Sequence, residues 1–210
     1  MYEYFIGRVT GIYPAYIVLE VNGIGYQLLS SNPYRYHVSE EEVKVYVQQI
    51  IREDGHLLFA FQTIEEKNLF LQLIKVSGIG PKSALAIMAG DDMHGLIQAV
   101  EQGDVTYLTK FPGVGKKTAS QMVLDLKGKL GELNQEITLF TPEVVQTADG
   151  NQALEDALQA LIALGYKEKD AQKVKKALAE EQLTTDEYLR RALKLLMKNK
   201  GKGVKMWTRE

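Results

Sequence analysis

Cysteine is missing from all 210 residues, which excludes disulfides and thiolate metal sites. Histidine occurs three times, at His37, His56 and His94, and the three are scattered. No apolar run is long enough to cross a bilayer. Met1-Tyr2-Glu3-Tyr4 shows no basic stretch leading into an apolar one, so no secretory signal is visible. These absences set the expectation of a cytoplasmic protein with no membrane partner. An excess of charge of one sign is missing as well. The formal net charge is −2, made up of −3 over residues 1–62, 0 over 63–133 and +1 over 134–210. No segment is a basic tail, so any binding to nucleic acid must rest on localised contacts and not on a broad field.

What remains is the composition of an ordinary globular protein, 45% apolar and 25% charged, arranged in segments of different period. Residues 4–12, 15–21 and 25–29 are rich in aromatic and β-branched residues, as strands are. Asn22-Gly23 is a tight-hairpin signal, because both residues tolerate positive φ. Val43, Val45 and Val47 alternate with Lys44, Tyr46 and Gln48, the period of a half-buried strand, and residues 57–61 form a fifth apolar stretch. Five short strands in this space point to a small barrel of the OB kind.

The period changes at Thr63-Ile64-Glu65-Glu66, a helix capping box. Ile64, Leu69, Phe70, Leu73 and Ile74 then share a helical face, and Ala119, Met122, Val123, Leu126 and Leu130 repeat the spacing. Lys127 and Lys129 stand where a helix end favours cations. Periodicity lapses over 132–151, which reads as a flexible linker. A first helix carrying Leu154, Leu158, Leu161 and Ile162 stops at Gly165-Tyr166. A second capping box, Thr184-Thr185-Asp186-Glu187, opens the last helix. The fold class expected is therefore multidomain α+β. It comprises an OB-fold barrel over 1–62, an all-helical domain over 63–133, a linker over 134–151, a three-helix bundle over 152–199, and a tail over 200–210, of which 201–210 looks disordered. A bundle of fewer than fifty residues buries little and would be marginal alone.

The middle segment holds an internal repeat. Leu73-Ile74-Lys75-Val76-Ser77-Gly78-Ile79-Gly80-Pro81-Lys82-Ser83-Ala84 aligns with Leu108-Thr109-Lys110-Phe111-Pro112-Gly113-Val114-Gly115-Lys116-Lys117-Thr118-Ala119, 35 residues later. In each copy a helix runs into Gly-apolar-Gly, then into lysine and a hydroxyl residue that begin another helix. Glycine permits a tight backbone and leaves no side chain between main chain and ligand. A helix start carries unpaired amides and partial positive charge, which suit a phosphate, and Lys82, Lys116 and Lys117 add point charges. Such chemistry holds a phosphodiester backbone and offers nothing that reads a base edge.

The Gly113 copy is not a nucleotide-binding P-loop. The leading glycine of that motif would fall at Lys110, and the residue after Lys116 should be Ser or Thr. A nuclease, lyase or glycosylase would need clustered carboxylates for metal or an activated lysine or histidine. Glu40-Glu41-Glu42 and Asp91-Asp92 read as solvated loops or caps, and Lys82 and Lys117 are explained by phosphate contact. No catalytic residue, metal or cofactor is expected.

Several separate segments resemble the RuvA family, the Holliday-junction-binding subunits of bacterial branch-migration machines. Phe5-Ile6-Gly7-Arg8-Val9-Thr10-Gly11 resembles the family's first strand and Val21-Asn22-Gly23-Ile24-Gly25-Tyr26 its next turn. Arg52-Glu53-Asp54-Gly55-His56-Leu57-Leu58-Phe59-Ala60-Phe61 is similar to the stretch carrying its acidic pin. The two Gly-apolar-Gly segments match the hairpins of its tandem helix-hairpin-helix domain, and Leu161-Ile162-Ala163-Leu164-Gly165-Tyr166 resembles its motor-binding domain, which implies a three-helix bundle of UBA-like form. The resemblance implies a homotetramer, or two stacked as an octamer, holding an open four-way junction. Gly78, Gly80, Lys82, Ser83, Gly113, Gly115, Lys116, Lys117 and Thr118 would then contact phosphates. Glu53 and Asp54 would be an acidic pin at the centre, repelling the crossover strands. Leu161, Leu164, Tyr166 and Leu193 would serve docking of the hexameric ATPase RuvB, although their helical spacing suits the core of a three-helix bundle equally, and a RuvC-type resolvase would be a further partner.

Overall fold

The computed structural model describes residues 1–53, 55–90, 93–130, 150–179 and 181–200. Asp54, Asp91-Asp92, most of the expected linker and the tail from 201 onward lie outside the described residues.

Five strands form a closed barrel in the order β1-β2-β3-β5-β4: β1 Tyr4–Tyr13, β2 Tyr16–Val21, β3 Ile24–Leu29, β4 Glu42–Arg52 and β5 Gly55–Phe61. The turn between β2 and β3 is set by Asn22 at φ 50° and Gly23 at φ 78°, the pair that a two-residue hairpin needs. Antiparallel pairing of Tyr4 with Tyr46 through Arg8 with Glu42 closes the barrel, and Leu29 meets Phe59 in the one parallel contact of β3 with β5. Inside lie Val9, Ile17, Leu19, Leu28, Val45, Val47 and Ala60. Val43, expected to share the inner face with Val45 and Val47, is exposed.

The barrel is joined to the helices by rings. Phe59 and Phe61 of β5 sit 5.1 and 5.0 Å, centroid to centroid, from Phe70 of helix α1 (Ile64–Leu73). Thr63 caps α1 by accepting from the Glu66 amide at 3.2 Å. Glu66 reaches back one residue beyond the cap, to the Gln62 amide at 2.9 Å, and holds Arg35 at 2.7 Å. Lys67 is buried on the same helix, its Nζ 2.9 Å from a Glu3 carboxylate oxygen. After α1 come α2 Pro81–Met88, α3 Met93–Gln102, α4 Val105–Leu108 and α5 Lys116–Leu126.

Helices α6 Gly150–Ala163, α7 Glu168–Leu178 and α8 Thr185–Lys200 form the last bundle. Amides of Gly165 and Tyr166 bond back to the Ile162 and Leu161 carbonyls at 2.9 and 3.1 Å, a crossed pair that ends α6. The bundle does not stand alone. Asn32 donates to Asp186 at 2.5 Å, the Tyr34 hydroxyl donates to the Asp156 carbonyl at 3.3 Å, and the bundle's core is continuous with that of the middle helices. Added apolar contact of this kind offsets the small core of a three-helix unit. Ile162, expected on the apolar face of α6, points outward and is 47% exposed. No helix among the described residues is long and apolar enough to cross a membrane.

The capping box of α8 is complete. The Glu187 amide donates to Thr184 Oγ1 at 3.3 Å, and the Thr184 amide donates to Glu187 Oε2 at 2.9 Å. The Thr184 backbone and hydroxyl bonds hold the Glu187 carboxyl below the ordinary value for a glutamate. Since the folded value is the lower one, this stabilisation is present above the unfolded pKa and is lost as pH falls through the folded one. Thr184→Ala should cost about 1 kcal/mol in urea unfolding at neutral pH. The cost should shrink as pH is taken below about 4, where the carboxylate half of the box is titrated away.

Candidate nucleic-acid interface

The two Gly-apolar-Gly segments fold into hairpins whose main chains match bond for bond. The Val76 amide donates to the Leu73 carbonyl at 3.1 Å, and 35 residues on Phe111 donates to Leu108 at 3.3 Å. Ile79 donates to Val76 at 3.0 Å and Val114 to Phe111 at 3.4 Å; Ala84 donates to Gly80 at 2.9 Å and Ala119 to Gly115 at 2.8 Å. Val76, Ile79, Phe111 and Val114 are all buried, so the residue between the glycines pins each turn to the helices below. Burying a valine or isoleucine side chain in this way is worth about 1.5–3 kcal/mol.

The two glycines of each hairpin have separate tasks. The first ones, Gly78 at φ 90° and Gly113 at φ 76°, are left-handed, a region that L side chains reach at a cost. The second ones are the helix caps, Gly80 at φ −89°, ψ 170° and Gly115 at φ −90°, ψ 173°. Any residue can adopt that extended conformation, and a β-carbon at either position would meet nothing within 4 Å. Local strain and packing therefore explain Gly78 and Gly113. At Gly80 and Gly115 the missing side chain leaves open space in front of the main chain.

That space faces a helix start. Neither cap supplies a side-chain acceptor to the first turn of α2 or α5, which leaves the opening amides and their partial positive charge to a ligand. Pro81 contributes no N–H, so α2 presents the Lys82 and Ser83 amides, and α5 those of Lys116, Lys117 and Thr118. Lys82, Lys116 and Lys117 are exposed, while Ser83 and Thr118 are half-buried.

Hairpin 1 borders a cleft of about 480 Å³ whose walls include Gly80, Lys82, Ser83, Arg52, Phe59 and Leu164. Arg52 was not among the residues read from sequence as binders. It stands thirty positions before Lys82, and only the return of β4 and β5 brings it there. Glu53 is exposed at the turn between those strands, paired just below by Arg52 and Gly55.

The four residues assigned to motor docking lie inside. Leu161 and Leu193 are at most 1% exposed, Leu164 and Tyr166 6%. Burial, with a smaller push from Asp170, drives the Tyr166 hydroxyl up to about 12. Among the described residues no group of three or more His, Cys, Asp or Glu is placed to hold a metal ion.

Residues 1–60 match the family model described as RuvA N terminal domain, residues 70–128 that of a SAM-like helix-hairpin-helix tandem, and residues 152–197 that of RuvA, C-terminal domain. The chain is 58% identical over 198 residues to a protein of Limosilactobacillus reuteri, covering 93% of this chain and 100% of that one. Relatives from Streptococcus sanguinis and Lactiplantibacillus plantarum are 55% and 54% identical, each over 94% of this chain and 100% of their own. All three bear the name Holliday junction branch migration complex subunit RuvA.

The division of labour between glycines is testable without a ligand. Gly78→Ala and Gly113→Ala should each cost about 1–2 kcal/mol in urea unfolding, the cost of a left-handed alanine. Gly80→Ala and Gly115→Ala should each cost less than about 1 kcal/mol, the loss of a modest cap. Equal costs at all four sites would abolish the distinction.

Proposed function

This chain belongs to the RuvA family, and on that footing we propose that it binds four-way (Holliday) junction DNA through the phosphate backbone, by shape and not by sequence. It then recruits a hexameric ATPase of the RuvB kind for branch migration in recombination and DNA repair. The observation that carries the reading is the pair of hairpins with one main-chain pattern, each presenting an uncapped helix start beside exposed lysines.

In this proposal Gly78, Gly80, Gly113 and Gly115 bring bare main chain to the backbone. The amides of Lys82, Ser83, Lys116, Lys117 and Thr118 donate to phosphate oxygens, and Lys82, Lys116 and Lys117 supply charge. Glu53 and Asp54 form the acidic pin, where like charge keeps the crossover strands apart. The working unit is a homotetramer, or two of them as an octamer, acting in the cytoplasm and accepting a RuvC-type resolvase on the same junction. The barrel over 1–62, the hairpin domain over 63–133, the linker over 134–151 and the bundle over 152–199 are its parts. The chain itself is non-catalytic, and ATP hydrolysis belongs to the motor. Leu161, Leu164, Tyr166 and Leu193 shape the motor-binding bundle from within, and Ile162 is the apolar side chain that α6 offers outward.

The experiment is a gel-shift competition, at stated salt, between an immobile four-way junction and linear duplex of the same total sequence. Strong junction preference, unchanged when the arms are scrambled, is expected; equal affinity would reduce the chain to a general duplex binder. Lys117→Ala should weaken binding to every sequence alike and lower the slope of log affinity against log salt by about one. Gly80→Ala and Gly115→Ala should weaken junction binding while the fold holds. Glu53→Gln with Asp54→Asn should leave junction affinity intact or raised while disturbing migration, and a collapse of binding would instead make those acids structural.

A further inference from the structure

Each left-handed glycine rests against the helix of the other hairpin. A β-carbon on Gly78 would lie 3.1 Å from Thr118 Oγ1 and 3.5 Å from its Cγ2. A β-carbon on Gly113 would lie 2.9 Å from Ser83 Oγ and 3.8 Å from its Cβ. Gly78 and Gly113 are equivalent positions of the repeat, and so are Ser83 and Thr118. The contact is therefore reciprocal: each hairpin lends its third helical side chain to the turn of its twin.

This arrangement separates the two ends of the same residues. The main-chain amides of Ser83 and Thr118 belong to open helix starts, facing the proposed phosphate. Their side chains lead away, to the opposite hairpin, and are half-buried while the lysines beside them are exposed. The space that a β-carbon would need at each left-handed glycine is thus already taken by a side chain of the opposite repeat, and filled space of this kind resists displacement, as in any close-packed interior.

We propose that Ser83 and Thr118 are positioning residues acting in trans between the repeats. Ser83 sets the main chain of hairpin 2 at Gly113, Thr118 sets that of hairpin 1 at Gly78, and the two turns move as one body. The consequence for DNA rests on the junction-binding reading: two phosphate clamps are held at one fixed spacing. The mechanical claim does not depend on DNA.

The test uses the full-length chain and hydrogen exchange without DNA, read at the Ile79 and Val114 amides, which close the two turns. Ser83→Ala should speed exchange at Val114 by about three- to tenfold and leave Ile79 unchanged; Thr118→Ala should do the reverse. Ser83→Thr and Thr118→Ser, which keep the hydroxyl and borrow each other's side chain, should restore protection. Loosening confined to the substituted residue's own hairpin, or no change at either amide, would overturn the proposal. A second arm measures junction affinity in double-mutant cycles. Ser83→Ala should couple with Lys117→Ala, across the repeat, and add independently to Lys82→Ala. Coupling to Lys82 alone would make Ser83 a member of its own hairpin and overturn the proposal. A wild-type chain with no junction preference would end the functional reading and leave the exchange arm to decide the mechanical one.

Discussion

Everything in the middle of this molecule depends on holding bare main chain at the surface without letting it move. A turn with glycine on both sides is the least ordered stretch a chain can offer, and each glycine costs about 0.5–1 kcal/mol of conformational entropy. The opposing term is the single apolar residue between them. Ile79 and Val114 are each about 95% buried, and burial at that level outweighs the entropy of two glycines. The turn is thus nailed from below, and its upper side is left without side chains. The barrel, joined to α1 by the ring cluster of Phe59, Phe61 and Phe70, extends the same support.

That economy fits the charge of the chain. A net charge of −2 and a neutral middle segment provide no long-range attraction for a polyanion. In the proposed function, attraction arises within a few ångströms, from helix starts and from lysines standing beside them. Each helix-end contribution is about 0.3–1 kcal/mol when exposed, so one hairpin is a weak site and two are a modest one. A binder built on such contacts gains strength by repeating them, within the chain through the duplicated hairpin and, in the proposed assembly, through copies of the chain.

Local signals of this kind were the ones legible in the sequence. Asn22-Gly23, both capping boxes and the 35-residue repeat each depend on neighbours in the chain, and each sits where its chemistry required. Pairings at a distance were not legible. Nothing in the local sequence singles out Lys67, yet it is buried against Glu3, because the barrel brings the N-terminal strand to α1. Arg52 joins the rim of hairpin 1 for a similar reason. Val43 and Ile162 share a pattern with buried neighbours but lie outside, since period alone cannot say where a face stops. Leu161, Leu164, Tyr166 and Leu193 looked alike as core and as interface, and only the packed bundle places all four within.

The repeat also carried a distinction that no spacing argument could reveal. Four glycines looked equivalent, and the backbone divides them into two kinds. Gly78 and Gly113 are required by the turn and by the side chain of the opposite repeat, whereas Gly80 and Gly115 sit in conformations open to any residue. In the proposed function such a glycine, at the mouth of an uncapped helix, is explained by the phosphate that comes close to it. In the proposed function these main-chain amides and lysine ammonium groups meet phosphates, contacts that carry no sequence information. Discrimination in that proposal resides in where phosphates are held relative to one another, the quantity that the proposed contact between the two hairpins would fix.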